Sequence, residues 1–186
     1  MRKCGSCTLC CRLLPVPEFG KLDNQRCQHQ CSKGCRIYAT RPISCAVWNC
    51  RWLAGDDTGQ RPDRCHYVVD MMPDYVIKTH TETGEEIEKM PVIQIWVEPG
   101  HDVRNDPNLR AFLDREHRMG LLRDGALRGF MMIPPSLTDD GQWLIMNTNL
   151  STEPSHSFEQ ICEALGGAQF EVKVVVPQDR IRKEMP

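Results

Sequence analysis

The cysteines of this chain are concentrated near its start: ten of the eleven lie within the first 65 residues. The chain opens with the spacing Cys4-x2-Cys7-x2-Cys10-Cys11, and further cysteines follow as far as Cys65. Thiolates two residues apart close on one metal ion or cluster through a short chelate turn, a purpose that core packing does not supply. The clustering therefore predicts a metal site in the first third of the chain.

Charge divides the chain into two parts that differ in kind. Residues 1–66 carry eleven Lys or Arg against five Asp or Glu, a formal charge of +6, whereas residues 67–186 carry twelve against twenty, a formal charge of −8. The stretch 54–62 gathers turn formers and charges, which marks a boundary. We therefore predict a cysteine-rich metal-binding module in residues 1–66 and an α+β domain in residues 67–186.

The basic residues of the first part are explained by the thiolates beside them. Five arginines lie close in sequence to a cysteine: Arg12, Arg26, Arg36, Arg41 and Arg51. Eight thiolates around two divalent ions would contribute about four net negative charges, so the arginines serve largely as local compensation. Aromatic and basic residues do not interleave as they do in single-strand or RNA-binding patterns, so we expect no nucleic-acid partner.

The N-terminal sequence and the hydropathy pattern predict a soluble, cytoplasmic protein. The first residues contain no apolar stretch of the kind that a secretory signal needs, and no apolar run approaches the roughly 18 residues that span a bilayer. We therefore expect no membrane partner and a reducing compartment, in which clustered cysteines are more often ligands than disulfides. Disulfides are the alternative, and the odd number of cysteines counts against them.

The second part shows the periodicities of strands and helices. Strands are predicted over 67–71, 75–79, 91–97, 130–133, 143–146 and 170–176, with a turn at 82–85. Asp106-Pro107 combines an N-cap acceptor with a first-turn proline, and helical spacing of apolar residues continues to about Leu122. A short helix over 158–165 would bury Cys162 as a small hydrophobe. The predicted class is α+β, with largely antiparallel strands and two helices.

Two tetrathiolate sites need eight ligands, and the first part supplies them with two cysteines to spare. The favoured metal ligands are Cys4, Cys7, Cys10, Cys11, Cys27, Cys35, Cys45 and Cys50. Their partition between sites is open. Adjacent residues in extended backbone point to opposite sides, so we expect Cys10 and Cys11 to serve different metal positions. Because residues 1–66 have little apolar periodicity and few regular elements, we expect metal to stabilise this module, which packs on the second part.

Longer strings in this region carry a resemblance to a known family. They are Cys4-x2-Cys7-x2-Cys10-Cys11-Arg12, Gly34-Cys35-Arg36-Ile37-Tyr38, Arg41-Pro42-Ile43-Ser44-Cys45 and Trp48-Asn49-Cys50-Arg51-Trp52-Leu53. Together with Cys27 they resemble the YkgJ-like cysteine-cluster family (CxxCxxCC), described as a zinc- or iron-chelating domain. The resemblance implies metal binding by the eight matched cysteines, and members are also labelled iron-sulfur oxidoreductases. Cys31 and Cys65 lie outside this pattern and are weaker ligand candidates.

Spacing leaves the metal open between zinc and iron. Tetrathiolate geometry suits zinc and iron-sulfur clusters alike. A bacterial ferredoxin run continues with three residues and then Cys-Pro, whereas here Cys11 follows Cys10 directly. One or two zinc ions are therefore favoured, and an iron-sulfur cluster is the alternative.

The predicted function follows from the metal. We expect a metal-binding protein with a mainly structural or metal-handling role. One alternative is an iron-sulfur protein that acts as an oxidoreductase or in a protein-modifying system. Another is a zinc-dependent protein or nucleic-acid interaction module, and a protein partner is left open. No phosphate-binding glycine loop, nucleophile elbow or Rossmann fingerprint occurs, so no catalytic residue is predicted.

Histidines and tryptophans near the cysteines are secondary candidates. His29 and His66 each lie near a cysteine and could replace a thiolate, since imidazole serves zinc well. Trp48 and Trp52 bracket Cys50, where they would shield a cluster from water or pack in a small core. The remaining histidines form no ligand spacing and are expected at the surface: His80, His101, His117 and His156.

Overall fold

The computed structural model describes residues 2–80, 83, 85–124, 128–149 and 170–175. Its α-helices are α1 (Leu9–Leu13), α2 (Ile43–Val47), α3 (Arg51–Ala54), α4 (Pro62–Cys65) and α5 (Pro107–Glu116). Its strands are β1 (Gln30–Cys31), β2 (Gly34–Cys35), β3 (Tyr67–His80), β4 (Glu86–Val97), β5 (Met119–Asp124), β6 (Arg128–Ile133), β7 (Leu144–Asn149) and β8 (Phe170–Val175). Helices and a mixed sheet occur together, as the α+β expectation requires.

A six-stranded sheet organises the second part of the chain. Its strand order is β7-β6-β5-β4-β3-β8, and its pairs are antiparallel except for β4 and β5, which run parallel. Because parallel neighbours cannot be joined by a hairpin, the chain crosses over between them through α5. The short strands β1 and β2 form a separate antiparallel pair within the cysteine-rich segment, residues 1–66.

The two faces of β4 pack against different parts of the molecule. Ile95 belongs to the same core cluster as Phe112 of α5, while its neighbour Trp96 belongs to a cluster with Leu9 and Leu13 of α1. Successive strand residues point to opposite faces, so α5 packs on one face of β4 and the cysteine-rich segment packs on the other. This packing places the cysteines against the sheet.

Helix α5 begins where the sequence predicts. The Asp106 carboxylate accepts hydrogen bonds from the backbone N–H groups of Asn108 and Leu109, at 2.9 and 2.8 Å, which satisfies two donors that the first turn leaves unpaired. At ten residues α5 is longer than α1 to α4. Within the described ranges, no helix combines the length and apolarity needed to cross a bilayer.

The predicted end of this helix at Leu122 is wrong. Helix α5 stops at Glu116, His117 adopts the left-handed conformation with φ of 49°, and residues 119–124 form β5. Strand β5 lies between β4 and β6, and its residues 119–123 are all buried. A strand buried on both faces has an unbroken apolar run, which at this length also fits helical spacing.

The two strands predicted over 67–71 and 75–79 are one continuous strand, β3. Its register against β4 shifts between Val69 and Pro73. Proline has no backbone N–H to donate, so the ladder is interrupted at that point while the strand continues. Strand β4 begins at Glu86, five residues earlier than predicted, and β6, β7 and β8 overlap the strands predicted over 130–133, 143–146 and 170–176. Other predictions lie outside the described residues or side chains, wholly or in large part: the turn at 82–85, the helix over 158–165 with Cys162, and His80 and His156.

Candidate metal centre

A cavity of about 100 Å³ lies in the cysteine-rich segment and reaches Val68 on the sheet. Its wall contains seven of the eight predicted ligands: Cys4, Cys7, Cys10, Cys11, Cys35, Cys45 and Cys50. Trp48, Trp52 and Leu53 contribute apolar surface to the same wall. Thiols that are separated along the chain are therefore gathered around one space.

A second cavity, of about 320 Å³, adjoins the first. It contains Cys27, the eighth predicted ligand, and extends to Trp96 on the sheet. The two cavities share four cysteines: Cys10, Cys11, Cys35 and Cys45. All eight predicted ligands thus line one or both cavities, whereas the described residues Cys31 and Cys65 line neither.

Short turns and helix ends hold the outer cysteines in position. The backbone N–H of Cys7 donates to the carbonyl oxygen of Cys4 at 3.1 Å, which closes a tight turn. Gly5 lies in this turn with φ of 59°. Cys50 caps the start of α3, where its Sγ accepts a hydrogen bond from the Leu53 N–H at 3.4 Å. Both arrangements are local, so the x2 spacing and the helix start fix where these sulfur atoms lie.

The prediction that Cys10 and Cys11 lie in extended backbone is wrong, because both belong to α1. Adjacent residues in a helix point roughly 100° apart rather than to opposite sides. Leu9 and Leu13, one turn apart and each 1% exposed, anchor the opposite face of α1 in the core. The two cysteines consequently face the cavities together, and each lines both of them.

In two pairs of neighbouring thiols, the pKa values are shifted in opposite directions. A hydrogen bond from the Cys4 thiol lowers the pKa of Cys7, and the same bond raises the pKa of Cys4. The Cys10 thiol lowers the pKa of Cys11 in the same way, and the pKa of Cys10 is raised. Within each pair the pKa values of the two thiols are thus separated, and a bound cation would displace the protons of both.

Lys21 places a buried positive charge beside the thiols. This side chain is only 7% exposed, and its ammonium group donates to the carbonyl oxygens of Arg12 and Leu22 at 3.4 and 3.1 Å. The hydrogen bond from Cys10 is the largest influence on the pKa of Cys11 and lowers it. Burial raises this pKa, and the positive charge of Lys21 lowers it. Sequence reasoning did not single out Lys21, since no spacing rule links a lysine to the cysteines that it approaches.

Aromatic side chains and an arginine close the remaining walls. Trp48 lines both cavities and donates from Nε1 to the Asp70 carboxylate at 2.8 Å, while Trp52 lines the first cavity alone. Arg41 lines both cavities, with its guanidinium 4.2 Å from the centre of the Tyr38 ring. The tryptophans are thus placed where they limit the access of water to the thiols.

The two candidate histidines lie in different surroundings. His29 lines the second cavity, with its ring centre 4.9 Å from that of Phe19. His66 lines neither cavity and instead meets Glu98 and His101. His101 is exposed, as predicted, and its ring stacks on that of His66. The residues from Glu98 to His101 form a turn that brings Glu98 and His101 together, and this turn-forming string is the sequence signal for their contact.

Comparison with family models, with curated proteins and with solved structures finds no match to this chain. The resemblance to the YkgJ-like family therefore stays a prediction from motifs, and the site is interpreted from its own geometry.

Proposed function

We propose that this protein binds metal through eight clustered thiolates and that the metal organises the cysteine-rich segment. One observation carries the proposal: the eight predicted ligands, spread from Cys4 to Cys50, each line at least one of two cavities that share four of them. Neighbouring thiolates repel one another, whereas thiolates that ligate one cation are held together. The buried charge of Lys21 also favours thiolates there. The motif resemblance to the YkgJ-like family also supports metal binding by these cysteines.

The cavity walls suggest how eight ligands divide into two sites. Cys4, Cys7 and Cys50 line only the first cavity, and Cys27 lines only the second. A four-thiolate site in the first cavity would take one of the shared cysteines, and the second site would take the other three. Under this partition Cys7 and Cys27 report on different sites.

Zinc fits a structural role in this segment. A closed tetrathiolate is the usual ligand set of structural zinc, which contributes about 10 to 16 kcal/mol to the folding of small peptides. The described core cluster of the segment is small, with Leu9 and Leu13 as its fully buried aliphatic side chains beside Val68 and Trp96 of the sheet. Because so few apolar contacts stabilise the segment, bound metal would supply the missing stability.

The spacing of the thiols favours an iron-sulfur cluster as a second candidate. Around one zinc ion with bonds of 2.3 Å, four sulfur atoms stand about 3.8 Å from one another. In the described part of the chain, no three thiols have sulfur atoms that all lie within 4.8 Å of one another. Zinc would require the thiols to move inward, whereas a cluster holds its thiolates farther apart on separate irons. A cluster shielded by Trp48 and Trp52 would suit an oxidoreductase or a protein-modifying system.

Elemental analysis of anaerobically isolated protein tests the proposal and separates the two metals. Colourless protein with one or two equivalents of zinc supports the structural role. Brown protein with charge-transfer absorption and acid-labile sulfide supports the cluster. Protein that is correctly folded and holds neither metal in stoichiometric amount overturns the proposal.

Serine variants test which thiols act as ligands. We expect Cys7→Ser to lose the metal of the first cavity and Cys45→Ser to lose metal and order, because each removes a thiolate from the wall. Cys65→Ser is the matched control, since its Sγ contacts the carbonyl oxygens of Pro62 and Tyr67 at 3.8 and 3.6 Å, outside the cavities. Metal content is measured per folded chain. A Cys7→Ser protein that is as fully loaded as the Cys65→Ser control would contradict the assignment.

A further inference from the structure

A second group of metal-binding side chains lies outside the thiol cavities. It consists of His66, Glu98 and His101, each of which offers one ligand atom within 4.8 Å of the other two. Within the described ranges, no other three His, Cys, Asp or Glu side chains come this close together. We propose that these three residues bind a divalent first-row transition metal ion of the Zn²⁺ type, independently of the thiol centre. Two imidazoles and a carboxylate are a ligand set that such ions accept.

The pairing of β3 with β4 brings the first two ligands together. Tyr67 pairs with Val97, so His66 and Glu98 lie side by side just beyond the paired ends of the strands. The backbone N–H of Glu98 donates to the carbonyl oxygen of His66 at 2.8 Å. The sheet therefore holds these two side chains adjacent, although 32 residues separate them in the chain.

A tight turn delivers the third ligand. The backbone N–H of His101 donates to the carbonyl oxygen of Glu98 at 3.1 Å, and Gly100 adopts φ of 87°. Pro99 followed by a glycine with positive φ is the pattern of a type II turn. The turn reverses the chain immediately after β4, so His101 comes back beside its partners.

The backbone of His66 is held in an uncommon conformation. It follows α4 with φ of 63°, in the left-handed region where a side chain other than glycine costs about 1 kcal/mol or more. Glycine or asparagine would occupy this position at lower cost. The conformation nevertheless presents the imidazole to Glu98, as residues held in strained backbone at binding sites do.

His66 and Glu98 already stand close to the spacing of two ligands of one ion, and His101 lies beside them. His66 Nδ1 lies 2.9 Å from one oxygen of the Glu98 carboxylate, and the rings of His66 and His101 stack with centres 3.7 Å apart. Two ligands of a tetrahedral zinc ion with bonds of about 2.1 Å stand roughly 3.4 Å apart. An ion between His66 and Glu98 would thus replace the hydrogen-bonded proton with a movement of less than about 1 Å. The His101 ring, which is stacked on that of His66, would turn so that one of its nitrogens points at the ion. Arg12 contacts the other Glu98 oxygen at 2.6 Å and orients the carboxylate from behind.

The site is accessible and leaves room for a further ligand. The His66 side chain is 40% exposed and that of Glu98 is 17% exposed, so an ion can enter from solvent. A cavity of about 180 Å³ lies beside His101, with Arg104 and Phe130 in its wall. Three protein ligands leave one coordination position for water or a small anion, as in open zinc sites.

The test is a Zn²⁺ titration of the full chain as isolated, followed by the ring signals of its histidines in NMR spectra. We expect the His66 and His101 signals to shift together and to saturate with one equivalent of Zn²⁺ beyond the metal that the thiols hold. The His29 and His117 signals should stay in place. These ring signals report on this site alone, so the outcome is distinct from any gain or loss of metal at the thiols.

Matched variants make the assignment specific. His66→Asn and His101→Gln should weaken this binding at least about tenfold, the smaller loss seen when even an indirect support of a metal ligand is removed. His117→Asn is the control, because His117 also follows a helix in the left-handed conformation, with φ of 49°. Unchanged His66 and His101 signals at saturating Zn²⁺, or equal weakening by His117→Asn and His66→Asn, would overturn the proposal.

Discussion

The hydroxyl group of Tyr67 ties the loop that precedes α4 to the start of α5. The side chain is 1% exposed, and its hydroxyl donates to the carbonyl oxygen of Thr58 at 2.8 Å and to the Asp106 carboxylate at 3.3 Å. The loop passes so near that a Cβ on Gly59, where φ is 95°, would stand 2.7 Å from the Cβ of Asn108. Only glycine fits at position 59, and the hydrogen bond from Tyr67 to Thr58 holds the loop against the start of α5.

Tyr67→Phe should lower the free energy of unfolding by about 1 to 3 kcal/mol, because it leaves a buried carbonyl oxygen without its donor while keeping the ring in the core. Urea unfolding of the two proteins measures the difference. Equal stability would show that the hydroxyl does not hold the loop.

The stability that the Tyr67 hydroxyl contributes should depend on pH. Burial, aided by the negative charges of Cys65 and Asp106, raises the pKa of Tyr67 above its ordinary value of 10.0. The folded protein therefore keeps this proton longer than the unfolded chain, and the stability that it contributes is lost as pH rises through that ordinary value. The stability difference between the natural protein and Tyr67→Phe should shrink above pH 10; a constant difference would contradict the assignment.

Asp70 joins the cysteine-rich segment to the sheet. Its carboxylate is buried and accepts hydrogen bonds from the Nε1 atoms of Trp48 and Trp96, at 2.8 and 3.0 Å. Its backbone also pairs with that of Cys50. One residue of β3 thus contacts the segment that carries Cys45 and Cys50 and the neighbouring strand β4 at the same time.

Asp70→Ala should cost roughly 2 to 4 kcal/mol, since two indole N–H groups lose a charged acceptor in the interior. Asp70→Asn is the matched control, because its amide oxygen still accepts one of the two bonds. Urea unfolding followed by tryptophan fluorescence measures both. An alanine variant as stable as the asparagine variant would show that the bridge contributes little.

The elements also show which sequence signals were reliable. The start of α5 was predictable because its cap and proline act within three residues. Its end was not predictable, because the apolar run at 119–122 fits both a helical stripe and a strand that is buried on two faces. Pairing with the neighbouring strands β4 and β6 makes these residues a strand rather than a helix, and a local sequence pattern does not contain those neighbours.

The molecule as a whole has core clusters of different origin. Those around Ile95 and Met131 are built from residues of the sheet, α5 and the loop between β4 and α5. The third combines Leu9, Leu13 and Cys50 with Val68 and Trp96. Of these described clusters, the third is the one whose buried members include residues of the cysteine-rich segment, while Cys65 packs against the edge of the first.

Removal of metal should therefore affect the two parts unequally. After anaerobic treatment with a strong chelator, we expect trypsin to cut within residues 2–66, because the thiols that the metal held together then repel and separate. The sheet should persist, since two of its core clusters contain none of the eight predicted ligands. Far-UV circular dichroism and mass spectrometry of the fragments measure the two effects. Chelated, metal-free protein that resists trypsin throughout, or that loses its sheet as well, would contradict this expectation.

Residue type and short spacing were enough to place the start of α5 and to predict eight cysteine ligands, which stay a prediction, because helix caps and chelate turns act over a few positions. The tertiary structure decided which thiols share a cavity, where α5 ends, and that His66 meets His101, 35 residues further along the chain. These arrangements depend on strand register and on packing between distant segments. Their free energy exists only once those segments are in contact, so no local stretch of sequence encodes it.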